Sequence, residues 1–191
     1  MHTILHSISG PYLTTGKYGK AVYTPNTEGH YDDNQINLGT HDNDCFGNVS
    51  HCTNGATLSF WIKAHEQMGI SPRLLRGSWF FFGFNMKNGE LLESATLRNG
   101  THSHFYTHFA KVTYNQWHNI GMTYSPGKGF EVYFDGCKAL RTGLATSAPI
   151  STSIELGCTY GGQYCCMVNY DELRFWAATK SPRFMWWLSQ M

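Results

Sequence analysis

The sequence has few charged residues and no long apolar segment, and both shortages exclude classes of function. Charged side chains make up 14% of the 191 residues, against the usual quarter. Fourteen basic residues face thirteen acidic ones and no basic run exceeds two residues, so no nucleic-acid partner is expected. No stretch approaches the roughly 18 consecutive apolar residues of a membrane span, so none is expected in this chain.

The N-terminal segment also lacks a targeting signal. Residues 1–10 have neither the basic start nor the apolar core of a secretory signal peptide. We therefore expect a mature form or an excised extracellular part of a larger protein. No repeat, low-complexity tract or linker interrupts the chain, so the sequence predicts a single domain over residues 1–191.

Aromatic residues and glycine are abundant where charge is scarce. Aromatic side chains account for 15% of the chain, and there are 20 glycines. Apolar residues recur at the two-residue period of a half-buried β-strand, and no long helical periodicity appears. Strands are predicted at residues 21–23, 35–38, 57–65, 79–85, 93–98, 104–113, 115–124, 130–135, 153–156 and 171–176.

Turn residues separate several of these strands. Pro126 and Gly127 lie between residues 115–124 and 130–135, so this pair is predicted to form a β-hairpin. Many short strands without βαβ alternation predict an all-β fold, a two-sheet antiparallel sandwich.

Two cysteines, Cys45 and Cys52, precede the strand at residues 57–65. A metal site, a reactive thiol pair and a covalent clasp are the alternatives. Zinc could recruit His41 and His51, but the chain contains no C-x-x-C pair and the spacing differs from that of structural zinc modules. We interpret the pair as a disulfide that closes a short loop and fixes the start of the strand.

The other four cysteines, Cys137, Cys158, Cys165 and Cys166, complete an even set, as in a disulfide framework. A bond between the adjacent Cys165 and Cys166 would be strained, so different partners are expected. In an extended chain these two side chains point to opposite faces, and one could reach Cys137 and the other Cys158. A vicinal bond is the alternative.

Two N-glycosylation sequons begin at Asn48 and Asn99, each in a polar stretch that is expected at the surface. Disulfides persist in oxidising compartments. Cysteines and sequons together therefore predict a secreted glycoprotein or the extracellular part of a cell-surface protein.

Oxygen-rich clusters make calcium the candidate cofactor. Asp32 and Asp33 form one cluster, and Asp42 and Asp44 form another. Calcium prefers oxygen ligands, but neither cluster has EF-hand spacing, and aspartates also form turns. Both interpretations stay open for these four residues.

No pattern marks a catalytic site. His102, His104 and His108 would share one strand face, where histidines are more often hydrogen-bonded or solvent-facing than metal-bound. A Ser-His-Asp arrangement cannot be inferred from sequence positions. We therefore expect the protein not to be an enzyme.

Three aromatic residues, Trp61, Tyr133 and Trp176, lie on the less apolar sides of their predicted strands. Exposed aromatic rings stack on sugars or anchor protein partners, so these residues are candidate ligand-binding positions. The alternative is burial beneath a loop or a terminal segment, because large aromatics are mostly buried.

Four stretches occur in a recognisable order, at residues 31–39, 52–63, 117–124 with 130–136, and 170–176. Together they resemble the laminin G-like and pentraxin group of concanavalin A-like jelly rolls. The segment after them resembles the family's closing turn and short C-terminal helix, with Ser181 as the cap and Pro182 at the first helical position. The resemblance implies two packed antiparallel sheets and extracellular recognition of glycans or proteins.

The sequence departs from related proteins at two places. Pentraxins bind calcium through an acidic loop, whereas residues 158–166 contain no carboxylate, so pentraxin-style calcium binding is not carried over. Related glycoside hydrolases use the pattern E-x-D-x-x-E, which is absent here, and Asp171 and Glu172 are neighbours predicted to point to opposite faces.

The sequence thus favours a non-enzymatic extracellular recognition or adhesion module that binds a protein or glycan ligand. A carbohydrate-active jelly roll, lectin or hydrolase, is the first alternative. The second is a structural domain that self-associates through the aromatic residues 184–187.

Overall fold

The structure, a computed structural model, describes residues 10–25, 34–65, 73–77, 79–87, 90–99, 102–141, 153–157 and 167–191. Within these residues, antiparallel strands form two sheets, and one helix follows the last strand. The predicted all-β sandwich is confirmed.

The strands, in chain order, are Tyr12–Thr15 (β1), Lys20–Thr24 (β2), Gln35–Thr40 (β3), Ala56–Ala64 (β4), Arg73–Arg76 (β5), Phe80–Lys87 (β6), Glu90–Asn99 (β7), His102–Lys111 (β8), Trp117–Ser125 (β9), Gly129–Phe134 (β10), Cys137–Arg141 (β11), Ser153–Gly157 (β12) and Val168–Trp176 (β13). Sheet A has the order β1-β2-β13-β4-β9-β10-β11, and sheet B has the order β3-β12-β5-β6-β7-β8. Strands from both ends of the chain therefore meet in sheet A.

Strand β4 shows how sequence alternation produces the two faces of sheet A. Leu58, Phe60 and Ile62 are fully buried in the core between the sheets. Because successive side chains of a strand point to opposite faces, Trp61 and Lys63 lie on the outer face, away from sheet B. This outer face of sheet A carries the candidate site.

The predicted β-hairpin at residues 115–135 is confirmed by the pairing of β9 with β10. Phe130 lies opposite Tyr124, and the Lys128 N–H donates to the Ser125 carbonyl at 3.0 Å. The next connection has only two residues, Asp135 and Gly136, with φ angles of 48° and 75°. Positive φ at both positions is the geometry of a type I′ turn, which Asp-Gly favours.

The helix α1, Pro182–Gln190, begins where the sequence predicts it. The Ser181 hydroxyl accepts a hydrogen bond from the Phe184 N–H at 3.2 Å, and Pro182 occupies the first turn. Met185 and Leu188 face inward and pack on Tyr133 of β10. The helix therefore covers part of the outer face of sheet A.

Cys45 and Cys52 form a disulfide, with 4.7 Å between their Cα atoms. Both cysteines are buried at the edge of the core, and a 3-10 turn, Val49–His51, lies between them. The predicted clasp is confirmed, and the zinc alternative is wrong because the two sulfurs are bonded to each other.

Removing this disulfide is expected to cost moderate stability. For the short loop it closes, the chain-entropy model gives about 2.4 kcal/mol at 25 °C. A Cys45→Ala/Cys52→Ala variant should therefore unfold at lower urea concentration with an unchanged m-value. A loss above about 5 kcal/mol would contradict a local role, because it exceeds the range for a single disulfide.

Candidate functional site

The outer face of sheet A is covered in two places. The first cover is the turn between β1 and β2, where Lys17 Nζ lies 4.7 Å from the centre of the Trp61 ring. The Tyr18 ring meets Trp61 edge-on at 6.3 Å. Asp171 holds this turn in place, since its Oδ2 accepts a hydrogen bond from the Tyr18 N–H at 2.8 Å. Trp61 is only 6% exposed as a result.

The second cover is α1, which buries Tyr133. A Cβ atom on Gly121 would lie 2.2 Å from Met185 Cε, the flexible end of that side chain, so the Met185 methyl group packs directly over this glycine. The Tyr133 hydroxyl donates to Glu131 Oε2 at 2.7 Å. Burial, aided by the nearby Glu131 carboxylate, raises the pKa of Tyr133 above its ordinary value. The same hydrogen bond lowers the pKa of Glu131.

These covers correct one prediction from the sequence. Trp61 and Tyr133 do not present rings for ligand stacking, and the alternative of burial beneath a loop or terminal segment applies to both. Trp176 is half-buried, with its ring 5.4 Å from Phe184 in an edge-on contact. Farther along the same helix, Trp186 and Trp187 are about half exposed.

An uncovered part of the outer face forms a pocket of about 350 Å³, which we call the aromatic pocket. Residues from β1, β2, β4 and β13 and from their flanks line it: Tyr12, Thr14, Thr15, Tyr23, Lys63, His65, Met167 and Asn169. The Tyr12 and Tyr23 rings meet edge-on at 5.1 Å, and Tyr23 meets the His65 ring at 5.4 Å. The pocket therefore combines aromatic rings with polar groups.

His65 is held firmly at the pocket wall. Its Nδ1 lies 3.1 Å from Asn115 Oδ1, and its Nε2 contacts Asn169 Oδ1. The His65 N–H donates to the Met167 carbonyl at 2.9 Å, which fixes the backbone as well. Lys63, two residues earlier, places its Nζ 5.4 Å from the Trp117 ring centre. These contacts position the polar groups before any ligand arrives.

Asp44, one of the predicted calcium residues that the structure describes, stabilises a turn. Asp44 Oδ1 accepts hydrogen bonds from the N–H groups of Phe46 and Gly47, at 2.8 and 3.1 Å, and Oδ2 contacts His41 Nδ1 at 2.7 Å. Burial opposes ionisation of Asp44, but these hydrogen bonds outweigh it and lower its pKa. The same contact with Asp44 raises the pKa of His41.

No group of three or more His, Cys, Asp or Glu within the described ranges is arranged to hold a metal ion. Asp42 is exposed beside Asp44. Asp32 and Asp33, the other predicted calcium residues, lie outside the described residues.

The remaining predicted positions are placed only in part. Cys137 begins β11, is exposed, and has no disulfide partner within the residues described, while Cys158, Cys165 and Cys166 lie outside them. Asn48 caps the 3-10 turn through a hydrogen bond from the Ser50 N–H at 3.0 Å. Of the other residues singled out in the sequence, Asn99 ends β7, and His102, His104 and His108 belong to β8.

Asp171 and Glu172 have structural contacts. Glu172 has a φ of 52°, within an irregularity of the β13–β4 pairing, and its carboxylate contacts the Arg174 guanidinium. Asp171 accepts the Tyr18 N–H as described and, through Oδ1, the Glu172 N–H at 2.8 Å. Paired acid and base catalysis requires two carboxylates that are free to flank a substrate, whereas the carboxylates of Asp171 and Glu172 are engaged in the contacts just described.

A family model described as the concanavalin A-like lectin/glucanases superfamily, of the laminin G type, matches residues 37–183. The chain therefore belongs to this superfamily, and the resemblance inferred from the sequence is confirmed. No curated protein sequence matches the chain.

In the part of the chain that the structure describes, no helix is long and apolar enough to cross a membrane.

Solved structures with this fold include binding domains. The binding domain of Paraclostridial mosquitocidal protein 1 has a TM-score of 0.72 and 13% identity, over 96% of this chain and 46% of that one. A second structure is domain 4 of AbnA, a GH43 extracellular arabinanase from Geobacillus stearothermophilus, in complex with arabinotriose. It has a TM-score of 0.68 and 16% identity, over 98% of this chain and 84% of that one.

The ligand-binding domain of botulinum neurotoxin serotype D, in complex with N-acetylneuraminic acid, has a TM-score of 0.67 and 12% identity, over 96% of this chain and 45% of that one. This chain thus spans about half the length of the mosquitocidal-protein and neurotoxin binding domains. At these identities the similarity shows the fold.

Proposed function

We propose that this chain is a non-enzymatic extracellular recognition module that binds saccharide in the aromatic pocket. The supporting observation is the grouping of Tyr12 and Tyr23 with Lys63, His65 and Asn169 on an uncovered part of sheet A. Aromatic rings pack against the apolar faces of sugars, and fixed polar groups supply the hydrogen bonds that orient a ligand.

Exposure of the ring supports a role for Tyr12 in particular. Tyr12 is 39% exposed on the edge strand β1, so a ligand reaches its ring without any rearrangement. A ring that packs edge-on against Tyr23 has little freedom to lose when a sugar binds. Saccharide ligands in the arabinanase domain and in the serotype D toxin domain are compatible with this proposal.

Binding without catalysis fits the chemistry of the pocket. Hydrolysis of a glycosidic bond ordinarily uses two carboxylates that flank the bond. The described residues that line the aromatic pocket include no carboxylate. An extracellular location is supported by the Cys45–Cys52 disulfide, since disulfides persist where the medium is oxidising.

Replacing Tyr12 by alanine is expected to weaken saccharide binding roughly thirtyfold, about the 2 kcal/mol loss of a binding hot spot. A glycan array would identify a ligand, and isothermal titration calorimetry would measure its Kd for each variant. Tyr12→Phe keeps the ring and should retain most of the affinity. Because Tyr12 is a surface residue, the melting temperature should change little.

Leu13 provides the matched control, since it is 64% exposed on the same strand and points to the opposite face. Leu13→Ala should leave the Kd unchanged. An array without any saccharide ligand, together with measurable hydrolysis of a polysaccharide, would overturn the proposal. Equal losses of affinity in Tyr12→Ala and Leu13→Ala would also contradict the placement of the site.

A further inference from the structure

A second cavity lies beside the start of α1, far from the aromatic pocket in the strand order. It has a volume of about 480 Å³, within the usual range of ligand pockets. Its walls are the β9–β10 hairpin, the end of β11 and the segment that leads into α1. Thr123, Ser125, Lys128, Gly129, Glu131, Arg141, Thr179, Lys180, Ser181 and Pro182 line this cavity, which we call the cationic cleft.

Positive charge is concentrated in the cationic cleft. Three cations, Lys128, Arg141 and Lys180, come from three separate segments, and Glu131 is the carboxylate among the lining residues. Glu131 already contacts a further cation outside the lining, Lys138 Nζ, at 3.2 Å. The whole chain carries a formal charge of only +1, so this excess is a local feature.

Glu131 offsets only part of the positive charge of the cleft. Its Oε2 accepts the buried hydroxyl of Tyr133 at 2.7 Å, and its Oε1 is shared between Lys138 and the more distant Arg141 Nε at 4.0 Å. Lys128 and Lys180 make no ion pair with any described carboxylate. Mutual repulsion among the cations would be relieved by an anion placed between them.

The wall that carries Lys180 is fixed to the sheet. The Lys180 N–H donates to Thr57 Oγ1 at 2.9 Å, and Thr57 Oγ1 donates to the Ala178 carbonyl at 2.8 Å. Next to them, the Thr179 hydroxyl donates to the Tyr124 carbonyl at 2.6 Å. The backbone of the cleft is therefore formed in advance, which reduces the ordering cost of binding.

We propose that the cationic cleft binds an oxyanion, the sulfate or phosphate group of a ligand. Lys128, Arg141 and Lys180 supply the charge, and the Ser181 hydroxyl, whose oxygen accepts the Phe184 N–H, can donate its own hydrogen to an anion oxygen. This site is separate from the aromatic pocket and does not depend on the function proposed for that pocket. A sulfated saccharide and a free ion are two sources of the same group.

The test titrates the intact chain with three probes at constant ionic strength: inorganic sulfate, a sulfated disaccharide and the same disaccharide without sulfate. Calorimetry gives the Kd, and amide chemical shifts of Lys128, Gly129 and Lys180 report the location. We expect binding that depends on the sulfate group. The Kd should rise about tenfold, or about 1.4 kcal/mol, in each of the single variants Lys128→Ala and Lys180→Ala. Circular dichroism verifies that each variant is folded.

Lys20→Ala is the charge-matched control, because Lys20 is an exposed residue of β2, near the other edge of sheet A in the strand order. Tyr12→Ala should also leave sulfate binding unchanged, which separates this proposal from the saccharide function. Binding of inorganic sulfate supports a free ion as the source, and binding of the sulfated disaccharide alone supports a saccharide. Absence of binding by both sulfate probes, or an equal loss in Lys20→Ala, overturns the proposal.

Discussion

Replacing Trp79 by alanine is expected to lower the free energy of unfolding by about 3–5 kcal/mol, the range for large aromatics in a core. Trp79 is 1% exposed and lies between the sheets, stacked on Phe130 with ring centres 5.5 Å apart. It also meets the Phe80 ring edge-on at 4.7 Å, and its Nε1–H donates to the Phe46 carbonyl at 3.0 Å. Alanine would leave a cavity and an unpaired carbonyl.

Urea denaturation followed by circular dichroism measures this loss. Trp79→Phe keeps most of the packing and removes the hydrogen bond, so its cost should be clearly smaller than that of alanine. Trp187→Ala is the matched surface control, because Trp187 is 50% exposed, and its effect should stay within about 0.5 kcal/mol. Similar losses for Trp79→Ala and Trp187→Ala would contradict the core that the structure assigns.

Replacing Tyr133 by alanine is expected to cost about 3–5 kcal/mol, although the sequence pattern places Tyr133 among ligand-binding residues. The ring is 1% exposed between β10 and α1, where it packs on Met185 and Leu188. Its loss would remove the platform on which α1 rests. Saccharide affinity of the folded fraction should not change, because the aromatic pocket lies elsewhere on sheet A.

The Tyr133→Phe variant isolates the hydroxyl. It retains the ring and removes the hydrogen bond to Glu131, which should cost about 1.5–3 kcal/mol, as for a bond to a charged group. A fully stable Tyr133→Ala that loses saccharide binding would reverse our assignment. Calorimetry below the melting temperature of each variant distinguishes the two results.

Much of the scaffold could be predicted from the sequence because buried strands alternate. β4, β9 and β10 each place apolar residues on one face, and the structure confirms all three. The sequence does not predict β1 and β11, because these short edge strands, residues 12–15 and 137–141, have largely exposed side chains. The sequence does not predict β5, because Leu74 and Leu75 are both fully buried, next to an irregular pairing that breaks the alternation.

The aromatic pocket could not be predicted in this way, because alternation gives the face of a residue but not what covers that face. Trp61 and Lys63 share the outer face of β4, yet the β1–β2 turn covers Trp61 and leaves Lys63 in the pocket wall. Tyr12 and Asn169 meet only through the pairing of β2 with β13. Only tertiary structure brings such distant positions together.

The pairing of β2 with β13 has a consequence for biosynthesis. Val22 lies opposite Tyr170, so about nine tenths of these 191 residues must leave the ribosome before these strands can meet. Until then, the first hairpin has no neighbour to hold it, and the rings of Tyr12 and Tyr23 have no pocket to join. A nascent chain stalled before residue 168 would therefore lack the assembled aromatic pocket, even if the segments already translated had collapsed.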